Sequence, residues 1–185
     1  MKMWIITLVA ICAMGLTDDD IRQRQNIRQE EFCWFRFNDG YHVSLKPLAR
    51  RHPPDYIYVD SDPADEGRRR YEYTYYFNIC HPTIMTCNGE EDAMGVQKIG
   101  DECVAILGRG QYTGIEYMDK ENRNGFKLTY KGGDKCGPVE REINHYFRCD
   151  PKITNDLEAV SEVPGTCSYN VMWRSRYACS NYIVK

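Results

Sequence analysis

Phe126-Lys-Leu-Thr-Tyr130, Lys131-Gly-Gly-Asp-Lys-Cys136, Ile143-Asn-His-Tyr-Phe-Arg-Cys149-Asp150 and Cys167-Ser-Tyr169-Asn-Val-Met-Trp173, closing at Ala178-Cys179, form the stretch on which the fold turns. Aromatic and β-branched residues recur in short runs, separated by Gly-Gly, Gly-Pro and Pro-Gly punctuation. That is the pattern of strands and tight turns. Four cysteines are interleaved with these runs, and Arg141, Glu162 and Tyr169 stand at short offsets from them.

Working outward, the same grammar continues upstream. Phe32-Cys-Trp-Phe-Arg-Phe37 is strand-like and ends in the turn signal Asn38-Asp-Gly40. Tyr41 to Leu48 is a second short run, with Pro47 marking a strand end. Tyr71-Glu-Tyr-Thr-Tyr-Tyr-Phe-Asn-Ile-Cys80 is the most strongly strand-patterned run in the chain, and its aromatic stripe reads as core. Val104–Leu107 and Gly114–Tyr117 read as short strands, and Asp119–Gly125 as a turn. Residues 49–70, with Pro53-Pro54 and Asp60-Ser-Asp-Pro63, read as a long exposed loop, and the triplet Arg68–Arg70 as solvated charge. Residues 87–103 also read as a loop. No window sustains a helical period, so the sequence predicts an all-β domain.

The chain has 185 residues, 42% apolar and 12% aromatic, enough for one domain with its own core. A net charge of -3 gives no support to nucleic-acid binding, which calls for a clustered basic face. Lys2 followed by the apolar run Trp4–Leu16 and then Asp18-Asp-Asp20 predicts a signal peptide over residues 1–16. The run is too short for a bilayer span, and Ala13-Met-Gly15 is a small-x-small cleavage pattern. Residues 17–31 read as a polar leader, flexible rather than helical. No second apolar run of membrane length follows, there is no K-D-E-L-type ending, and no N-x-S/T sequon occurs.

If Cys12 leaves with the signal peptide, eight cysteines remain: Cys33, Cys80, Cys87, Cys103, Cys136, Cys149, Cys167 and Cys179. An even set in an exported chain predicts four disulfides in an oxidising lumen, although spacing leaves their connectivity open. No C-x-x-C occurs, and His42, His52, His81 and His145 lack zinc-ligand spacing, so no metal is expected.

Catalytic signatures are missing. There is no G-x-S-x-G or H-E-x-x-H, and no unpaired cysteine is expected to serve as a nucleophile. Glu90-Glu91 and Glu158 with Glu162 are not framed as a glycosidase pair. Lys131–Lys135 lacks the length and the strand–loop–helix setting of a P-loop. The expectation is a binding protein without enzymatic activity or cofactor. Gln, Arg, Glu and Tyr suit sugars: amide, guanidinium fork, carboxylate and phenol can each satisfy paired hydroxyls.

In order along the chain, Cys33-Trp34, Gly40-Tyr-His-Val-Ser-Leu45-Lys-Pro-Leu48, Tyr76-Phe-Asn-Ile-Cys80, Cys87, Val96-Gln97 and Cys103 come first. Gly125–Cys136, Arg141, Phe147-Arg-Cys149-Asp150, Cys167-Ser-Tyr169, Trp173 and Ala178-Cys179 follow. Together they resemble the mannose 6-phosphate receptor homology (MRH) domain, over about residues 32–180, with 181–185 as a tail. The resemblance implies a flattened β-barrel of two crossed antiparallel sheets with disulfides Cys33–Cys80, Cys87–Cys103, Cys136–Cys167 and Cys149–Cys179. The last two would each close about thirty residues, contributing about 3–4 kcal/mol in the chain-entropy picture.

The resemblance also implies a mannose site. Gln97 and Arg141 would meet the axial 2-hydroxyl, and Glu162 and Tyr169 the 3- and 4-hydroxyls. Glu158 is the fallback for Glu162. Lys135 and Asp134 are candidate phosphate contacts, although only Lys135 separates Asp134 from Cys136, which argues against a divalent-metal loop. The implied function is a lectin for terminal mannose or mannose 6-phosphate on N-glycans of glycoproteins, in lysosomal-enzyme sorting or glycoprotein handling. It would work in the secretory lumen, secreted or endosomal/lysosomal. The alternatives are a sugar-blind protein-interaction subunit of the same fold and a fragment of a membrane sorting receptor. Protonation of Glu162 would remove an acceptor, which predicts weaker sugar binding in acid.

Overall fold

In the computed structural model, residues 28–179 are described apart from 32, 38, 62–71, 111 and 120. The expected signal peptide, residues 17–27 of the leader, Arg68–Arg70 and the tail lie outside them. Among the described residues the regular elements are all strands, save two short 3-10 turns. β1 (Arg28–Glu31), β2 (Trp34–Arg36) and β3 (His42–Ser44) form a small antiparallel sheet. β1 lies inside the stretch expected as a leader: its backbone pairs with β2.

Two larger sheets build the barrel. One has β4 (Tyr56–Ser61), β5 (Glu72–Phe77), β6 (Ala93–Ile99) and β7 (Glu102–Arg109) in that order. The other uses β8 (Gly114–Tyr117), β9 (Gly125–Tyr130), β12 (Glu142–Cys149), β13 (Asp156–Val163) and β14 (Ser168–Ser175), ordered β13-β14-β12-β9-β8. Between β9 and β12 a short hairpin pairs β10 (Lys135–Cys136) with β11 (Val139–Glu140). All of these pairings are antiparallel except β12 with β14, which run parallel with Ile143 opposite Tyr169 and Phe147 opposite Trp173. The implied disulfides are formed: Cys33–Cys80, Cys87–Cys103, Cys136–Cys167 and Cys149–Cys179.

Two segments expected as loops are strands. β4 arises within 49–70, and β6 within 87–103. β6 shows no alternation because both its faces are covered, and its first five residues are buried. Met94 turns to the main core, while Ala93 and Val96 join Cys87 and Ile106 in a second cluster outside it.

Side chains at alternate positions fill the space between the sheets. Phe126, Leu128 and Tyr130 come from β9, Ile143, His145 and Phe147 from β12, and Tyr169, Val171 and Trp173 from β14, all nearly inaccessible. Tyr75 and Phe77 of β5 face them. The sheets meet so closely that a Cβ on Gly95 would sit 2.5 Å from Ile143 Cδ1. Along one seam the backbones join directly: Gly108 bridges Gly132, and the Arg109 N–H donates to Lys131 O at 2.9 Å.

Candidate functional site

Tyr169 and Glu162 are direct cross-strand partners of β14 and β13, so both side chains take the barrel-facing side. Tyr169 is buried, and Glu162 stands at the exposed rim. Arg141 lies between β11 and β12 and is fixed by the turn before it. The Gly133 N–H donates to Arg141 O at 3.0 Å, and the Arg141 N–H donates to Asp134 O at 3.0 Å. Its Nη1 donates to Lys135 O at 2.9 Å. Position 133 must be glycine here: a Cβ would lie 2.5 Å from Leu107 O and 2.8 Å from Arg141 Cβ.

The Arg141 guanidinium and the Glu162 carboxylate both lie beside the Tyr169 hydroxyl. Burial raises the phenol's pKa, Arg141 pulls it back and Glu162 raises it. The Tyr169 ring stands 6.2 Å from the Tyr75 ring. Tyr75 is the registered partner of Gln97, and Gln97 Nε2 donates to its hydroxyl at 3.1 Å. Gln97, 5% exposed, thereby joins the cluster from the opposite sheet.

Gln97, Arg141, Glu162 and Tyr169 are thus brought together, with Tyr75 as a fifth member that sequence reasoning took for core. Alternation along β5 placed Tyr75 on the inner face, but only the β5–β6 register shows that it meets Gln97. Burial pushes the Tyr75 phenol well up, with Gln97 lowering it. It therefore stays protonated, accepts from Gln97 and keeps its own O–H to donate. Arg141 Nε is buried with no hydrogen-bond partner. An unpaired buried donor is costly, about 1–3 kcal/mol, so the cluster retains unspent hydrogen-bonding capacity.

Asp134 has a different employment. Oδ2 accepts the Ile106 N–H at 2.8 Å, and Oδ1 accepts from Arg109 Nη2 at 2.8 Å. Burial favours its neutral acid, but the Ile106 N–H and Arg109 hold the carboxyl below the ordinary range. Asp134 ties the turn to β7, while Lys135, whose carbonyl anchors Arg141, keeps an exposed side chain. Glu158, on β13, accepts from Arg148 Nη2 at 3.2 Å and lies 2.6 Å from Arg174 Nε. Among the described residues, no three His, Cys, Asp or Glu gather as a metal site.

A cleft of about 270 Å³ lies elsewhere, on the outer face of the five-stranded sheet, between Glu116, Lys127, Thr129, Lys131, Glu142 and Asn144. Its floor is a closed hydrogen-bond ladder. Thr129 Oγ1 donates to Asn144 Oδ1 at 2.8 Å, Asn144 Nδ2 to Ser168 Oγ at 2.8 Å, and Ser168 Oγ to Glu142 Oε1 at 3.1 Å. Lys127 pairs with Glu116.

Known proteins share both the sequence and the barrel. Over 142 residues, 74% of this chain, the sequence is 30% identical to the human cation-independent mannose-6-phosphate receptor. Homology to this receptor and the shared fold make the chain an MRH domain. It spans 5% of that receptor's length. The MRH fold is also that of domain 11 of the echidna mannose-6-phosphate/IGF2R receptor, with a TM-score of 0.57 and 18% identity, covering 82% of this chain and 97% of that one. Domain 11 of chicken IGF2R gives a TM-score of 0.53 at 18% identity, covering 78% and 88%. No protein-family model matches the chain. The MRH barrel is a lectin-type fold, and its four disulfides fit an oxidising lumen.

Proposed function

We propose that this MRH domain is a lectin that binds terminal mannose on N-glycans through Gln97, Arg141, Glu162 and Tyr169, with Tyr75 positioning Gln97. The observation that carries the reading is the buried, unpartnered Nε of Arg141 beside Tyr169 and Glu162. A pyranose edge presents alternating donors and acceptors, and this cluster offers an amide, a guanidinium, a carboxylate and two neutral phenols to meet them. Catalysis is not part of the proposal: the site offers recognition groups and no activated nucleophile. Lys135, exposed on the turn that holds Arg141, is the cation that would face a 6-phosphate. The setting we propose is glycoprotein handling or lysosomal-enzyme sorting within the secretory or endosomal lumen.

A glycan array read with wild type and Arg141→Ala tests this. Mannose-dependent signal lost in the folded variant supports it. A correctly folded wild type that ignores every mannose-terminated glycan, phosphorylated or not, overturns it in favour of a sugar-blind interaction module. Lys135→Ala should weaken mannose 6-phosphate while sparing unphosphorylated mannose.

A further inference from the structure

His145 lies at the centre of the barrel, in the middle of β12, and is fully buried. Four rings enclose it: Phe77 at 5.7 Å, Tyr130 at 5.7 Å, Trp173 at 5.9 Å and Phe147 at 6.2 Å between centroids. Trp173 Nε1 donates to His145 Nδ1 at 3.0 Å. An indole nitrogen only donates, so Nδ1 is the acceptor and the neutral ring carries its proton on Nε2. That Nε2 is buried and has no partner.

We propose that His145 makes the folded barrel acid-labile, because the native core has no place for its imidazolium. A second proton must go to Nδ1, where it would confront the Trp173 N–H at the distance of the present hydrogen bond. The hydrogen bond would be lost and a cation left among rings. Among the described residues, the groups that face the ring offer no compensating charge. From β9 the facing groups are Leu128 and Tyr130, from β14 Val171 and Trp173, and from β5 Phe77. Tyr130 alone among these titrates; burial raises its pKa, and its oxygen accepts the Cys80 N–H at 3.1 Å. Burial pushes His145 down to about 3 from its ordinary 6.5.

The unfolded chain takes up the proton below pH 6.5 and the folded one does not, so stability is complete above 6.5 and drains as pH falls towards 3. The ligand cluster rests on the same core. Phe77 stacks on Tyr75 at 6.1 Å, and Trp173 shares β14 with Tyr169. The inference concerns the fold and stands whether or not the domain binds mannose.

Urea unfolding of the disulfide-intact protein, followed by tryptophan fluorescence from pH 7.5 to 5, tests it. The folding constant should fall about tenfold per pH unit below 6.5. His145→Gln keeps an acceptor for Trp173 but cannot titrate, and should flatten that slope. Substituting His42, His52 and His81 should leave the slope intact. A wild type whose stability is level from pH 7.5 to 5, or a His145→Gln variant with an unchanged slope, overturns the proposal. If His145→Gln fails to fold, NMR titration of the wild-type imidazole decides. A ring that stays neutral until the domain unfolds supports the proposal, and one that titrates near 6.5 in the folded domain refutes it.

Discussion

Two polar clusters meet at opposite faces of β14, through Ser168 outside and Tyr169 inside. Outside, Thr129, Asn144, Ser168 and Glu142 form a ladder in which each donor finds an acceptor. Inside, Gln97, Tyr75, Tyr169, Arg141 and Glu162 crowd together with one guanidinium nitrogen unpaired and two phenols whose hydrogens have somewhere to go. The outer cluster has the cleft, and the inner cluster has the unspent chemistry. If the inner cluster is the sugar site proposed above, concavity is a poor guide here. What marks a recognition site is hydrogen-bonding capacity that the fold has oriented and not consumed.

The sharpest way to break this contrast is Arg141→Ala. Mannose affinity should drop by about a hundredfold or more, with stability changed by less than about 1 kcal/mol, since the residue's main-chain bonds survive. Glycan binding and urea unfolding on one preparation measure both. Next, Asp134→Ala should lower stability by about 1–3 kcal/mol, by orphaning the Ile106 N–H and removing one of the partners of Arg109, which keeps Glu90 and the Gly132 carbonyl. It should also weaken sugar binding, because Asp134 holds the turn that holds Arg141. The same carboxylate gives a pH signature. Its depressed pKa contributes stability that is present above the ordinary carboxylate range and lost as pH falls below it. Asp134→Asn should therefore flatten the pH dependence of unfolding below about pH 4 and leave the slope above it unchanged.

Asn144→Ala should cost about 1–2 kcal/mol by leaving Thr129 and Ser168 short of a partner, while mannose affinity moves less than about twofold. A large affinity loss from Asn144→Ala would abolish the distinction between the clusters. Least of all, Lys131→Ala on the cleft rim should alter stability by under about 0.5 kcal/mol and leave glycan binding unchanged.

The sequence made some of this legible. The cysteine frame carried the resemblance that implied all four disulfides, and the offsets of Arg141 and Tyr169 from it pointed to residues that do converge. Other parts were hidden for physical reasons. β4 was masked by Pro53-Pro54 and an acidic flank, and its apolar residues alternate the wrong way for a core reading, with Ile57 and Val59 each 49% exposed. β6 lacks alternation because it is covered on both faces. Tyr75 could not be singled out, because its role depends on a register between strands about twenty residues apart. Asp134 was read as a candidate ligand contact, yet its partners, Ile106 and Arg109, come from a strand no local pattern links to it.

The position of β14 carries a last consequence, for biosynthesis. It is the final strand of the described domain, yet it lies between β13 and β12 rather than at an edge. The five-stranded sheet is therefore interrupted until β14 is made and inserted beside β12. A nascent chain ending before Ser168 has β13 without its neighbour, an open flank on β12 and no Tyr169. Such a chain exposes unpaired strand edges while it waits. The domain gains its completed sheet, its Cys149–Cys179 link and Tyr169 in one late step, so a chain halted short of β14 is an unfinished sheet rather than a weaker version of the same protein.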